Sequence, residues 1–121
     1  MKVYIVCPVR QSRQEEREIM DAYAKALERR DIEVHYPPRD VNQNGDITRI
    51  CREHRSFMID CDEVHVFWNV TSGGSHFDLG MAYALNKKIV LIKSFLDYVI
   101  NGKSFQKVIE KLQEENEDYG I

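Results

Sequence analysis

The sequence lacks any run of about 18 apolar residues, the length a membrane-spanning helix requires. No Cys-x-x-Cys pair occurs, and no histidine or cysteine spacing fits a zinc site, so no metal is expected. The three cysteines, Cys7, Cys51 and Cys61, are odd in number and widely spaced, as for reduced thiols in the cytoplasm. There are no repeats, no low-complexity tract and no linker. One domain spanning residues 1–121 is therefore expected. The formal charge of −3 gives no support to polyanion binding, so neither nucleic acid nor membrane is an expected partner. The opening residues, Met1 to Cys7, have no small-residue cleavage site and read as a first strand, not a signal peptide. Neither a G-x-G-x-x-G fingerprint nor a complete P-loop is present. Gly102-Lys103-Ser104 matches only the end of the latter, with Asp97 where its first glycine belongs.

What is present alternates between two periods. Lys2–Cys7, Ile32–Tyr36, Glu63–Trp68 and Lys88–Lys93 are β-rich, and the last, continuously apolar, predicts burial on both faces. Between them run helical patterns. Arg13–Arg30 carries Ile19, Met20, Tyr23, Ala26 and Leu27, with Ser12 as N-cap and Glu15 as its capping-box partner. Asp46 caps a helix to Asp60 with Ile47, Ile50, His54, Phe57 and Met58 near one face. A third helix runs from His76 to Leu85. Pro37-Pro38 stops the second strand, and Arg39–Gly45 reads as a loop. Phe95–Ile100 reads as a short helix or a fifth strand, and Ser104–Asn116 as an amphipathic helix. Strands alternating with helices predict an α/β fold: a three-layer, doubly wound, flavodoxin- or Rossmann-like sheet of four to five mainly parallel strands. Ligands of such sheets bind beyond the carboxyl ends of the strands. This selects the loops Cys7–Arg13, Pro37–Gly45 and Asn69–Phe77.

The third of these loops is the most informative. Asn69-Val70-Thr71-Ser72-Gly73-Gly74-Ser75 joins a strand to a helix, where free amides and the helix dipole favour an anion. Ser72 and Ser75 can add hydroxyl donors. Asp78 lies in the first turn of that helix. It reads either as a carboxylate able to attack a sugar C1′ or as the acid of a Ser75-x-x-Asp78 capping box. Arg10 and Arg13 follow the first strand and can rim a phosphate, or simply be solvated; Arg17 reads as solvated. Among the histidines, His35 and His65 fall in strands and read as structural. His54 and His76 are candidate acids or bases, or satisfied polar residues. Tyr4 lies inside the first strand, and Cys7 at its end reads as a small core residue or a catalytic thiol.

Together these segments resemble the nucleoside 2-deoxyribosyltransferase superfamily, nearest its 2′-deoxynucleoside 5′-monophosphate N-glycosidases. The pieces, in order, are Val3-Tyr4-Ile5, the arginine loop Pro8 to Arg13, and Cys61-Asp62-Glu63-Val64. Ser72-Gly73-Gly74-Ser75-His76-Phe77-Asp78-Leu79-Gly80-Met81-Ala82 follows, against the pattern S-x-G-x-x-Y/F-E-L-G-x-A, and then Asn86-Lys87-Lys88-Ile89-Val90. The match runs from residue 1 to about residue 94.

The resemblance implies cleavage or exchange of the N-glycosidic bond of a (deoxy)nucleoside 5′-monophosphate, without a cofactor, by a homodimer. It places Tyr4 beside the sugar, Arg10 and Arg13 toward the 5′-phosphate, and Ser72 and Gly74 around that phosphate, with His76 nearby. Asp78 stands in the place of a nucleophilic glutamate, and His54 in that of an aspartate assisting departure of the base. A noncatalytic nucleotide-binding or sensor module, and cleavage of a sugar nucleotide or NAD, are the alternatives on the same scaffold.

Overall fold

The computed structural model describes residues 1–10, 12–95 and 105–118. Its elements run β1 (Lys2–Val6), α1 (Gln14–Glu28), β2 (Glu33–His35), α2 (Pro37–Asp40), α3 (Ile47–Asp60), β3 (Glu63–Trp68), α4 (Gly73–Ala84), β4 (Lys88–Ser94) and α5 (Phe105–Asp118). The four strands form one parallel sheet in the order β2-β1-β3-β4. The chain moves to one side of β1 for β2 and to the other for β3. The switch in winding direction therefore lies between β1 and β3, where a ligand crevice opens in such sheets. The expected three-layer α/β fold is what forms.

Alternation along β1 divides the core. Tyr4 and Val6 face α3, α4 and α5, packing with Met58, Val64, Val66, Leu79, Ala82, Ile89 and Ile109. Val3, Ile5 and Cys7 face α1, packing with Met20, Ala24, Leu27, Tyr36 and Phe67. Both β1 and β3 are buried over nearly their whole length because each has a strand on either side and a helix layer on both faces. Asp31 and Asn86, at φ of 60° and 57°, take the left-handed conformation that ends α1 and α4 ahead of β2 and β4.

Several local expectations are corrected. Arg13, not Ser12, is the N-cap of α1, and Glu16, not Glu15, accepts its backbone N–H at 2.9 Å. Ser12 instead donates to the Val9 carbonyl. The buried stripe of α1 runs through Ala24, leaving Ile19 and Ala26 exposed. Pro37-Pro38 does not merely stop β2. Its fixed φ starts the short α2, where a missing N–H costs nothing at the first turn. On α3, Ile47 and Phe57 are exposed while Ile50 and Met58 are buried. β4 is an edge strand with only Ile89 fully buried, so its apolar run does not signal burial on both faces. α4 begins three residues early, at Gly73. The reading of Phe95–Ile100 as an element and the partial P-loop at Gly102–Ser104 lie outside the described residues, apart from Phe95 itself. No helix among the described residues is long and apolar enough to cross a membrane.

Candidate active site

At the carboxyl ends of β1 and β3 lies a cavity of about 670 Å³. Its walls come from all three loops expected to carry a site. Cys7, Val9 and Arg10 follow β1; Pro37, Gln43 and Gly45 follow β2; and Ser72, Gly73 and Gly74 follow β3. Ile47, Ile50, Cys51 and His54 of α3 and Phe77 and Asp78 of α4 complete it. Two of these, Ile47 and Phe77, are hydrophobic side chains left 71% and 56% exposed, so the mouth is apolar while the floor is polar.

The floor carries His54 and Asp78, and Tyr4, expected beside the sugar, lies beneath them without lining the cavity. Tyr4, wholly buried in β1, donates its hydroxyl to Asp78 Oδ2 at 3.2 Å. Asp78 Oδ1 lies 3.3 Å from His54 Nδ1. Asp78 is thus buried at 6% exposure with a partner on each oxygen, and it still lines the cavity. Burial, reinforced by the Asp78 carboxylate, pushes the Tyr4 phenol well above its ordinary range. Tyr4 therefore remains a hydrogen-bond donor at any physiological pH. The capping-box reading of Ser75 and Asp78 fails. Ser72 is the N-cap of α4, and its hydroxyl oxygen accepts the Ser75 N–H at 3.2 Å. That earlier start moves Asp78 from the first turn to the second, where its side chain turns under β1.

Capping also decides which amides are free. Ser75 is satisfied by Ser72, whereas the Gly73 and Gly74 amides belong to the first turn and have no carbonyl one turn back to bond. A Cβ built on Gly73 or Gly74 would meet nothing within 4 Å, so both backbones border open space. This is the geometry of an anion seat: two amides at the positive end of a helix, with no side chain in front. Arg10, across the cavity, is exposed and donates to the Gln43 carbonyl at 3.4 Å. Gln43 in turn holds its loop, its amide nitrogen reaching the carbonyls of Pro37 and Val41.

The structure brings Tyr4, His54, Asp78, Arg10, Ser72 and Gly74 to one place. It does not bring Arg13, Ser75 or His76. Arg13 pairs with Glu16 at the start of α1. Ser75 is buried beneath the turn. The ring of His76 lies against Trp68 and Phe105, with Nδ1 on the Ser72 carbonyl at 2.8 Å. Arg17 pairs with Asp21 and stacks over Tyr36. Cys7 borders the cavity, but burial, and then Asp78, raise its thiol far above the ordinary value, so it stays protonated and unreactive. Sequence reasoning missed Ile47 and Cys51, and did not single out Gln43 and Phe77 within the loops it selected. Ile47 and Phe77 stand out only once their exposure is known. It also set His35 aside as structural, although this histidine lies beside His54. Among the described residues no group of three His, Cys, Asp or Glu side chains is placed to hold a metal ion.

No protein-family profile and no curated protein sequence matches the chain. Solved structures do. The chain is similar to the CMP N-glycosidase of Clostridium botulinum, at 18% identity and a TM-score of 0.64, over 93% of this chain and 82% of that one. It is similar to the 2-deoxyribosyltransferase of the psychrotolerant bacterium Bacillus psychrosaccharolyticus, at 17% identity and 0.66, over 93% and 96%. A deoxyribosyltransferase of Leishmania mexicana matches at 20% identity and 0.58, over 77% of this chain and 63% of that one. The chain shares the fold of these proteins.

Proposed function

We propose that the protein cleaves, or exchanges the base across, the N-glycosidic bond of a (deoxy)nucleoside 5′-monophosphate. One observation carries this reading: a buried carboxylate, Asp78, lies on the floor of a cavity whose rim offers the free amides of Gly73 and Gly74. The fold shared with a CMP N-glycosidase and two deoxyribosyltransferases supports it. The 5′-phosphate sits on those amides and the Ser72 hydroxyl, with Arg10 as counter-ion. The base occupies the apolar mouth near Ile47 and Phe77. Asp78 attacks C1′ while Tyr4 holds one carboxylate oxygen and aims the other. The departing base takes a proton from His54, and water or a second base opens the glycosyl-aspartate. No cofactor takes part.

This reading also includes a homodimer, with a second copy covering the exposed Ile47 and Phe77, and a reducing, cytoplasmic setting, with which three free thiols agree. Incubation with a panel of ribo- and deoxyribonucleotides and detection of free base tests the activity. Base release that disappears in Asp78→Asn supports the assignment, and full activity in that variant removes Asp78 as nucleophile. A ligand-dependent rise in melting temperature with no base released would favour a noncatalytic sensor.

A further inference from the structure

A second, smaller cavity of about 250 Å³ shares no lining residue with the candidate site, and α3 borders both. Lys2, Val3, Glu33, His35, Phe57 and Asp60 are among the residues that line it. His35 and Phe57, stacked at a centroid separation of 3.7 Å, face this cavity, and His54, one turn before Phe57, lines the first. The His35 and His54 rings are 6.3 Å apart, centroid to centroid. Each has a buried Nε2 that meets no hydrogen-bond partner among the described residues. For a buried imidazole nitrogen that is a cost a protein normally avoids. In His54 the other nitrogen is turned to Asp78. Its Nε2 therefore points away from the reacting groups, in a wall it shares with one other unpartnered imidazole.

We propose that His35 is a positioning residue acting through His54, passing protons between His54 Nε2 and water in the second cavity while nucleotide fills the first. The proposal rests on the N-glycosidase reading above. In this proposal the transfer runs through a water that partners the two otherwise unpartnered Nε2 atoms. It also resolves a conflict in that reading. A cationic His54 would form an ion pair with Asp78 and weaken it as a nucleophile. With a relay behind it, a neutral His54 can serve. As the C1′–N bond breaks, its electron pair goes to the base, which takes the Nδ1 proton; an Asp78 oxygen bonds C1′. His54 Nε2 accepts a proton handed on from His35, which regains one from water in its cavity, leaving a hydroxide there that the second step returns to water. When water then bonds C1′ and the C1′–Asp78 bond breaks, the proton of that water enters at Nδ1 and the chain runs in reverse.

The groups around His35 suit this. Tyr4 comes from β1, Arg39 and Asp40 from α2, and His54 and Phe57 from α3. Burial, which outweighs the opposing pull of Asp40, lowers His35 to about 4. It is therefore neutral at working pH, with one nitrogen able to give a proton and the other to take one.

The test is chemical rescue of His35→Ala, which opens the wall toward the second cavity. Wild type is expected to release base, and His35→Ala to lose about tenfold or more in kcat with KM within about twofold. Added free imidazole is expected to restore kcat in a saturable way. His35→Phe, which fills the space, is expected to be slow and not rescued. An alanine variant with wild-type kcat overturns the relay, as does a loss that imidazole leaves untouched. If the alanine variant does not fold, His35→Gln replaces it as a polar side chain that cannot switch tautomers, and full kcat there overturns the proposal. A wild type that releases no base from any nucleotide sinks the parent reading and the relay together. Turnover that is indifferent to position 35 sinks the relay alone.

Discussion

Tyr4 and Asp78, 74 positions apart in the chain, meet in a hydrogen bond of 3.2 Å between the phenol and Oδ2. The tyrosine is fixed by the central strand and the aspartate by α4, so neither can move without shifting the core. Tyr4→Phe keeps the ring and its packing but frees one carboxylate oxygen. We expect a stability loss of about 2 kcal/mol, the range for a hydrogen bond to a charged group. Base release should fall by more than that implies, through misorientation of Asp78. Urea unfolding and kcat of the same variant separate the two; a variant with unchanged kcat excludes an orienting role.

Asp78→Glu introduces the longer acid that the sequence resemblance leads one to expect at this position. Tyr4 and His54 are spaced to hold an aspartate, with contacts of 3.2 and 3.3 Å on its two oxygens. One extra methylene displaces the attacking oxygen by about 1 Å, enough to cost on the order of 10²-fold in rate. Steady-state kinetics on the best nucleotide checks this, and a glutamate variant as fast as wild type would show that the cluster is not tuned to the shorter acid.

Gly74→Val places a branched side chain where a Cβ meets nothing within 4 Å, at the start of a helix that valine tolerates. The melting temperature should change little. Affinity for a nucleoside monophosphate should drop about tenfold or more, while a nucleoside without the phosphate should lose far less. Calorimetric titration of the paired ligands measures the difference, and equal losses for both would move the phosphate elsewhere.

Acid sensitivity follows from His35. Its value in the fold, about 4, lies below the ordinary 6.5, so the unfolded chain binds more protons between those limits. The stability contribution is present above about pH 6.5 and lost as pH falls toward 4. Its full size is at most about 3 kcal/mol. His35→Phe removes this titration, so the stability of wild type relative to the variant should decline across that window. Chemical denaturation at a series of pH values reads it; a constant difference would mean that His35 titrates normally.

Much of the site was legible before the fold. Strand–helix alternation placed three loops at one end of a parallel sheet, and the glycines after Ser72 marked a backbone that borders open space. The two meanings of Asp78 were not separable there. Ser75-x-x-Asp78 satisfies the spacing of a cap, and only the competing cap at Ser72 frees Asp78 to reach Tyr4. Arg13 and His76 are near in sequence to Arg10 and Gly74, yet Glu16 takes the first and the Ser72 carbonyl and Trp68 hold the second.

What the sequence by itself determined is the main strands and helices, without the short α2, their order and the polar loops between them. These depend on local periodicity and on backbone preferences set by neighbours a few residues away. Tertiary structure alone decided which side chains meet. The Tyr4–Asp78 and His35–His54 contacts join residues brought together only by the winding of β1, β2 and β3 and the packing of α3 and α4. Such contacts leave no periodic trace, because their distances are set by how strands order and helices cross, not by spacing along the chain.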